Sequence, residues 1–581
     1  MEIMALGVLA IGLIAALNVV GPRLGVAPQI ILVAAGAGLS FLPGTGLLAL
    51  NPQFVMMGLL PLLLYASSLA LPTIEFRRDL SAIGGLSMVL VIITAIALGW
   101  LIHWLMPDIP LPIGVALGAL LSPTDAAAIG IVKKLGLSPR VVAILDGEAL
   151  LNDASALVML RAGLAAVATG FSFWGVAKSF VFAVAAAALI GYVVGRLGVA
   201  IRSRLGDTAT ATAVSLLIPF VAYLPADLVG ASGLVAVVAA GITTRLLAPQ
   251  HINATQRMTE TTNWHTIEFL AEGVVFLTMG AQVKGLVESL AHSGETMTKA
   301  LVVALLAWLA TLAIRGLYIS GIVAATARST ARKQAARDLW NDRRRHFARL
   351  RGSHSSGQRA KARQYALDHP EAFAKRFERV RDFIRRYAAD VDYLVREPLR
   401  GREGVLLTWA GLRGVVTVAG AQTLPLDLPH RPLIVLIAFT VAAGSLLCQG
   451  LSLSWLAKRL GLTGRDTTGP DETAQLEAAL AQAARAALDD PALRRADGSR
   501  YNPVLLETAK AGLAHNAPTP ADDDAAMRAQ VHELRLAIIN AKRQALLKIR
   551  SLGEYTSATV QRALSRLDAD EISVSLEEPE A

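Results

Sequence analysis

One cysteine, Cys448, stands in a chain of 581 residues, and it lies inside an apolar run. A lone thiol builds no disulfide framework and completes no cysteine-ligated metal site. Charged residues are scarce at 17%, and aromatic residues reach only 6%. No stretch has the His, Cys and acid spacing of a metal-dependent enzyme, and no nucleophile–base pair stands out. The chain is therefore not expected to be an enzyme, and no cofactor is implied. A basic leader and a cleavage site are also missing before the first apolar run, which follows Met1 and Glu2 directly. That run reads as a retained helix rather than a signal peptide.

What fills the chain is hydrocarbon. Hydrophobic residues make up 54% of it, with a mean hydropathy of +0.50, and apolar runs longer than about 18 residues indicate membrane helices. The net charge of +10 is local. Residues 328–402 hold 21 Lys/Arg against 9 Asp/Glu, a surplus larger than that of the whole chain. A basic loop beside membrane helices points to cytoplasmic placement and anionic lipid contact rather than to nucleic acid. Trp340 and Phe347 beside Arg343–Arg345 are too thin a signal for a nucleic-acid surface.

The expected fold is an all-α polytopic membrane protein. Thirteen spans are read at about 4–20, 26–45, 52–72, 81–106, 111–132, 141–168, 173–195, 208–224, 229–247, 265–283, 298–325, 403–424 and 431–457. With the N-terminus outside, the inward loops hold Arg23, Arg77, Arg78, Lys133, Lys134, Arg140, Arg196, Arg202, Arg204, Arg245 and Arg257, then the basic block; the outward loops hold Lys284, Lys299 and Arg431. That asymmetry obeys the positive-inside rule and leaves the C-terminus cytoplasmic. The domains follow: a transmembrane domain over 1–462 with a basic insert at 326–402, and a small helical cytoplasmic tail over 463–581. In the insert, Phe373, Phe377, Val380, Ile384, Tyr387, Val391 and Leu394 recur at spacings of four and three. Such a basic amphipathic helix lies under the membrane core or on anionic headgroups, with a dimer contact or an autoinhibitory element as alternatives. In the tail, Met527, Val531, Leu534 and Ile538 mark a helix continuing towards Ile549, after a joint at Asn516–Asp524.

Two spans carry breakers. The fifth reads Ser122-Pro-Thr-Asp125 near its middle, and the twelfth reads Gly411-Leu-Arg-Gly414. Backbone groups freed there must be satisfied by protein, water or an ion, because lipid offers neither donors nor acceptors. Interrupted helices at matching places in two halves are the sequence mark of a secondary transporter. Spans one to six and eight to thirteen then form two inverted six-helix repeats. Span six adds Leu145-Asp-Gly-Glu-Ala-Leu-Leu-Asn-Asp-Ala-Ser155, which puts Asp146, Glu148 and Asp153 close to or within an apolar run. A charge at the bilayer centre costs at least ~3 kcal/mol on insertion scales, so such acids face a bundle interior or a water-filled path.

Gly147-Glu-Ala-Leu-Leu-Asn-Asp153, Ser122-Pro-Thr-Asp125 and Gly411-Leu-Arg-Gly414, in one chain, resemble the monovalent cation/proton antiporters, in the branch of the sodium/proton exchangers and their bacterial homologues. Ala231-Ser-Gly-Leu-Val-Ala-Val237 and Phe276-Leu-Thr-Met-Gly280 are similar to the same family, and the likeness covers about 4–460. The resemblance implies that Asp153 binds either a proton or a cation (Na+, with K+ and Li+ as rivals). It implies that Asn152, standing where the electrogenic branch has a second aspartate, marks electroneutral one-for-one exchange. Thr124 and Asp125 would complete the site, and Glu148 and Arg413 would form a structural ion pair. A homodimer in a bacterial inner membrane is implied as well.

The chain departs from the pattern at Ala149, where several members carry serine, and at Ala66 or Tyr65, where some carry glutamate. Ser67, Ser68 or Ser155 is left to supply oxygen. These gaps keep a potassium/proton exchanger open, and an ion channel or ion-sensing membrane protein is the rival of another class. Ser155, Glu272 and Arg161 are further pathway candidates, while Arg315 is read as snorkelling inward or pairing with an acid.

Overall fold

The computed structural model describes residues 2–23, 26–42, 51–125, 127–169, 173–292, 296–349, 370–425, 428, 430–464, 470–512 and 525–577. Every regular element among them is helical. They divide into two units, Met1–Ile322 with Gly401–Asp466, and Val323–Arg400 with Thr467–Ala581.

In chain order the helices up to residue 459 include α1 (Glu2–Arg23), α2 (Pro28–Leu39), α3 (Pro52–Ala70), α4 (Leu80–Leu105), α5 (Leu111–Leu120), α6 (Ala127–Lys134), α7 (Pro139–Thr169), α8 (Phe173–Arg202), α9 (Thr208–Leu228), α10 (Gly233–His251), α11 (Ala254–Ala281), α12 (Val283–His292), α13 (Met297–Arg349), α14 (Pro370–Arg396), α15 (Gly401–Trp409), α16 (Val415–Gln422) and α17 (Arg431–Arg459); all belong to the first unit except α14 and the part of α13 after Ile322. Nine helices among the described residues are long and apolar enough to cross a membrane, and three shorter apolar ones lie at Gly7–Gly21, Pro28–Leu39 and Leu111–Leu120. The fifth expected span is two pieces, α5 and α6, and the twelfth is two pieces, α15 and α16. Half-helices of eight to ten residues reach only part-way across a hydrocarbon core of about 30 Å at 1.5 Å per residue. The tenth span also differs from its expected start: its helix begins at Ala254, where the Asn253 side chain accepts from Gln256 N–H.

Helix faces that point outward are as oily as those that point inward. On α8, Val181, Phe182, Leu189, Val193, Leu197 and Ile201 are all exposed. A water-soluble helix would present polar residues there; a helix in lipid has no reason to. Inside the unit, glycines bring backbones together. A Cβ on Gly36 would overlap the Leu277 carbonyl of α11, and one on Gly280 would overlap the Val33 carbonyl of α2. Small residues at such crossings are how helices pack where lipid tails are as apolar as leucine.

The second unit contains α14 with α18 (Pro470–Leu488), α19 (Pro503–Gly512), α20 (Ala525–Leu552) and α21 (Ser557–Leu576). Gly553, at φ 71°, stops α20 in the left-handed region. Thr556 then caps α21 by accepting from Thr559 N–H. Arg543 bridges the pair, 3.1 Å from Asp568 and bonded also to Glu571. Leu488, Tyr501 and Leu534 form its small core. On α14, Val391 and Leu394 of the heptad stripe are buried, while Val380, Ile384 and Tyr387 are exposed. The side chains of Phe373 and Phe377, and the joint at 516–524, lie outside the described residues.

Candidate functional site: a cavity at two crossed, broken helices

The breaks in the fifth and twelfth spans meet each other. Asp125 N–H donates to the Leu412 carbonyl at 2.8 Å, and Val415 N–H donates to Asp125 Oδ2 at 3.3 Å. The carboxylate thereby satisfies a donor at the start of α16, where the helix dipole favours negative charge. Arg413 Nη1 donates to the Pro123 carbonyl at 3.2 Å, and Arg413 N–H donates to Ser445 Oγ at 2.9 Å. Gly414 is glycine because nothing larger fits: a Cβ would overlap the Asp125 carboxylate. The polar groups freed by the two breaks thus answer one another, as burial in a membrane protein demands.

α7 passes beside this crossing as one unbroken helix, with Asp146, Glu148, Asn152 and Asp153 buried on it. Glu148 is bound by Arg315 of α13, with Nη2 at 2.8 Å from Oε2 and Nη1 on Oε1; both side chains are 1% exposed. Arg315 also donates from Nε and Nη2 to the Leu407 carbonyl near the end of α15, at 3.1 and 2.9 Å. One guanidinium therefore neutralises an acid and caps a broken helix, which its planar fork of donors permits. This corrects the expected Glu148–Arg413 pair. Arg413 lies at the crossing, but its side chain serves the Pro123 carbonyl. The lone arginine in the apolar run before α14 was the signal for the true partner, since a buried guanidinium requires a counter-charge.

Thr124 Oγ1 donates to Glu148 Oε1 at 3.3 Å and accepts from Asn152 Nδ2 at 2.6 Å. Thr124 and Asn152 are thus joined to the ion pair, while Asn152 Oδ1 is buried with no hydrogen-bond partner among the described residues. Asp153, 8% exposed, differs from the other buried acids of this region. It has neither a hydrogen-bond nor an ion-pair partner among the described residues. Glu272 accepts from Gln29 at 2.9 Å, Glu268 from Ser67 at 3.1 Å, and Asp146 is paired with Lys133 at 3.1 Å.

Asp153 lines a cavity of about 430 Å³ together with Thr124, Asp125, Glu272, Glu268 and Asp146, and Lys133 and His265 also border it. Ala149 borders it without an oxygen to offer, whereas Ser67 borders it with one. Ser68 is turned to the Leu64 carbonyl, and Ser155 to that of Leu151; neither they nor Asn152 line the cavity. Arg161 belongs elsewhere. It pairs with Asp227 at 2.7 Å and lines a separate cavity of about 620 Å³ with Leu157, Tyr223 and Thr423, which Asp153 does not touch. Gln29 and His265 carried no sequence signal, because each joins the cavity only through packing of α2 and α11.

Comparison with known proteins adds a lineage to this geometry. The family model described as the transmembrane sodium/hydrogen exchanger matches residues 7–336. The chain belongs to the sodium/hydrogen exchanger family. It is 30% identical to the uncharacterized Na(+)/H(+) exchanger YjcE of Escherichia coli (strain K12), over 92% of each protein. It is 33% identical to the sodium, potassium, lithium and rubidium/H(+) antiporter of Bacillus pumilus, over 49% of this chain and 44% of that one. Its fold is similar to that of the sodium proton antiporter MjNhaP1 from Methanocaldococcus jannaschii at pH 8, with a TM-score of 0.55 and 17% identity, covering 79% of this chain and 99% of that one. This family member is a multi-pass membrane protein.

Proposed function

We propose that this chain exchanges a monovalent cation, sodium before others, for a proton across a bacterial inner membrane, one for one, with Asp153 as the group that both occupants share. The observation that supports this most is the Asp153 carboxylate itself: buried, bordering a cavity, and without a hydrogen-bond or ion-pair partner among the described residues. Burial disfavours the charged form of a carboxylate, and a bound cation restores it. Proton and cation therefore compete for one site, and the neutralised site crosses a low-dielectric barrier at low cost. Asp125 and Thr124 stand at the same cavity as further oxygen donors. Asn152 is neutral at every pH, so it carries no second proton, and the exchange is electroneutral.

The thirteen-span count with two inverted six-helix repeats is part of this reading, supported by two broken helices that cross. The cavity bearing Lys133 is the inward one by the charge of the loops, with the N-terminus outside and the 463–581 tail in the cytoplasm. Alternating access then closes that cavity and opens the one bordered by Arg161 and Tyr223. The protein works as a homodimer, and the insert at 326–402 contacts anionic lipid.

A second reading is potassium/proton exchange. It is favoured by Ala149, which leaves its own position on the cavity wall without a hydroxyl, and by the Bacillus pumilus relative, whose name includes potassium. The test of both is proton release from acid-loaded proteoliposomes on adding sodium, potassium or lithium. Asp153→Asn is expected to insert normally and exchange nothing. Normal exchange by that variant overturns the assignment, and cation flux that follows membrane potential without proton counterflow replaces the exchanger with a channel.

A further inference from the structure

The cavity has a second acidic station that the exchange reaction does not require. Asp146 lies seven residues before Asp153 on α7, so about two turns and roughly 10 Å nearer the Lys133 end, on the same face. Both line the cavity. The surroundings of the two carboxylates differ. Asp146 Oδ1 is 3.1 Å from Lys133 Nζ, and Oδ2 is buried with no hydrogen-bond partner among the described residues. The Asp146 side chain is 10% exposed, whereas that of Lys133 is 47% exposed. A buried carboxylate half-satisfied in this way needs a positive neighbour. Its neighbour here is an ammonium on a flexible four-carbon stem, half in water, which leaves at little cost. Two other buried pairs are different: Glu148–Arg315 and Asp79–Arg140 are enclosed on both sides and held by two guanidinium donors each.

We propose that Asp146 is a loading site for an alkali cation at the mouth of the cavity, and that Lys133 occupies it when no cation does. An arriving cation displaces the ammonium, which swings to solvent, and then passes inward between α7 and the Glu268 and Glu272 face of α11 to Asp153. The counter-charge at Asp146 is never lost, so the cation enters without leaving a bare buried acid behind it. Lys133 sets how much cation is needed: it competes for Asp146 as a tethered rival. Asp146 here binds the cation in passing and Lys133 acts only through Asp146, while the exchange itself takes place at Asp153.

This rests on the proposed exchange, and the experiment separates the two. Full-length protein is assayed in inside-out and right-side-out vesicles, with sodium and with potassium, for apparent KM and maximal rate. Asp146→Asn is expected to raise the apparent KM by about fivefold or more on the cavity-bearing face alone, with the maximal rate within about twofold. Lys133→Gln is expected to lower the same KM. If wild-type protein exchanges no cation, the proposed function fails. If wild type exchanges and Asp153→Asn abolishes exchange, but Asp146→Asn and Lys133→Gln leave KM on both faces unchanged, the loading site alone fails. Equal loss of KM and rate on both faces, with a lower melting temperature, makes the pair a structural clamp and overturns the inference. Should Asp146→Asn not accumulate in the membrane, Lys133→Gln decides by itself: an unchanged or raised KM overturns the proposal.

Discussion

Glu148 and Asp153 are buried at the crossing of the two broken helices and Asp125 is half-buried, and each of the three acids meets a different fate. Glu148 is closed by Arg315 and Thr124. Asp125 is held by the backbone of the opposing break. Asp153 borders open volume. A carboxylate with permanent partners cannot trade a proton for a cation, which is why the proposed exchange is placed at the last. Removing one partner of a buried ion pair leaves an uncompensated charge, at a cost of ~3–5 kcal/mol. Arg315→Met is therefore expected to lower the melting temperature and membrane yield sharply, and Glu148→Ala likewise. Fluorescence-detected thermal shift in detergent checks this. Replacing both together with apolar residues should recover part of the loss, because no bare charge then remains. Asp153→Asn, in contrast, removes a charge that has no partner among the described residues, and is expected to leave stability unchanged or raised.

At the scale of the element, the deciding feature is that α5–α6 and α15–α16 stop short and face one another. Ser122-Pro-Thr-Asp125 and Gly411-Leu-Arg-Gly414 announced both breaks in the sequence, because proline and glycine interrupt the backbone ladder and lipid cannot mend it. Which groups mend it was not legible. Arg413 stands closest in sequence to the second break, yet Arg315, about ninety residues earlier, caps the Leu407 carbonyl. Gly414 offers the sharpest test of the crossing. Gly414→Val would drive a side chain into the Asp125 carboxylate, and is expected to reduce exchange about a hundredfold or more, in line with small displacements at a reacting geometry. Gly444, where a Cβ meets nothing within 4 Å, is the control, and Gly444→Ala should exchange as wild type does.

For the whole molecule, the proposed one-for-one exchange makes a quantitative demand on pH. With a single carboxylate shared by one proton and one cation, the apparent KM for the cation rises about tenfold for each unit of pH below the point where half the sites are protonated. It is flat above that point. A slope of two on the logarithmic plot, measured in proteoliposomes clamped at zero potential, means that two protons compete and that the exchange is electrogenic. Neutral Asn152, buried beside Thr124, is the reason to expect one. Thirteen spans are expected and nine long apolar helices stand among the described residues. Two of the four others are the broken fifth and twelfth, whose halves are too short to count as spans, and two are the shorter apolar helices Gly7–Gly21 and Pro28–Leu39.

The amino-acid order alone determined that the chain lives in a membrane, since apolar runs of this length have no other stable surroundings. It also determined where helices break and which helix carries the acids, for these are local consequences of side-chain chemistry. Only the tertiary structure decided which acid is free and which is bound. Arg315 rather than Arg413 reaches Glu148, Lys133 folds back onto Asp146, and Arg161 turns away to Asp227. Those pairings depend on how helices distant in sequence rotate and pack, and a buried charge takes whichever partner the packing brings within a few ångströms.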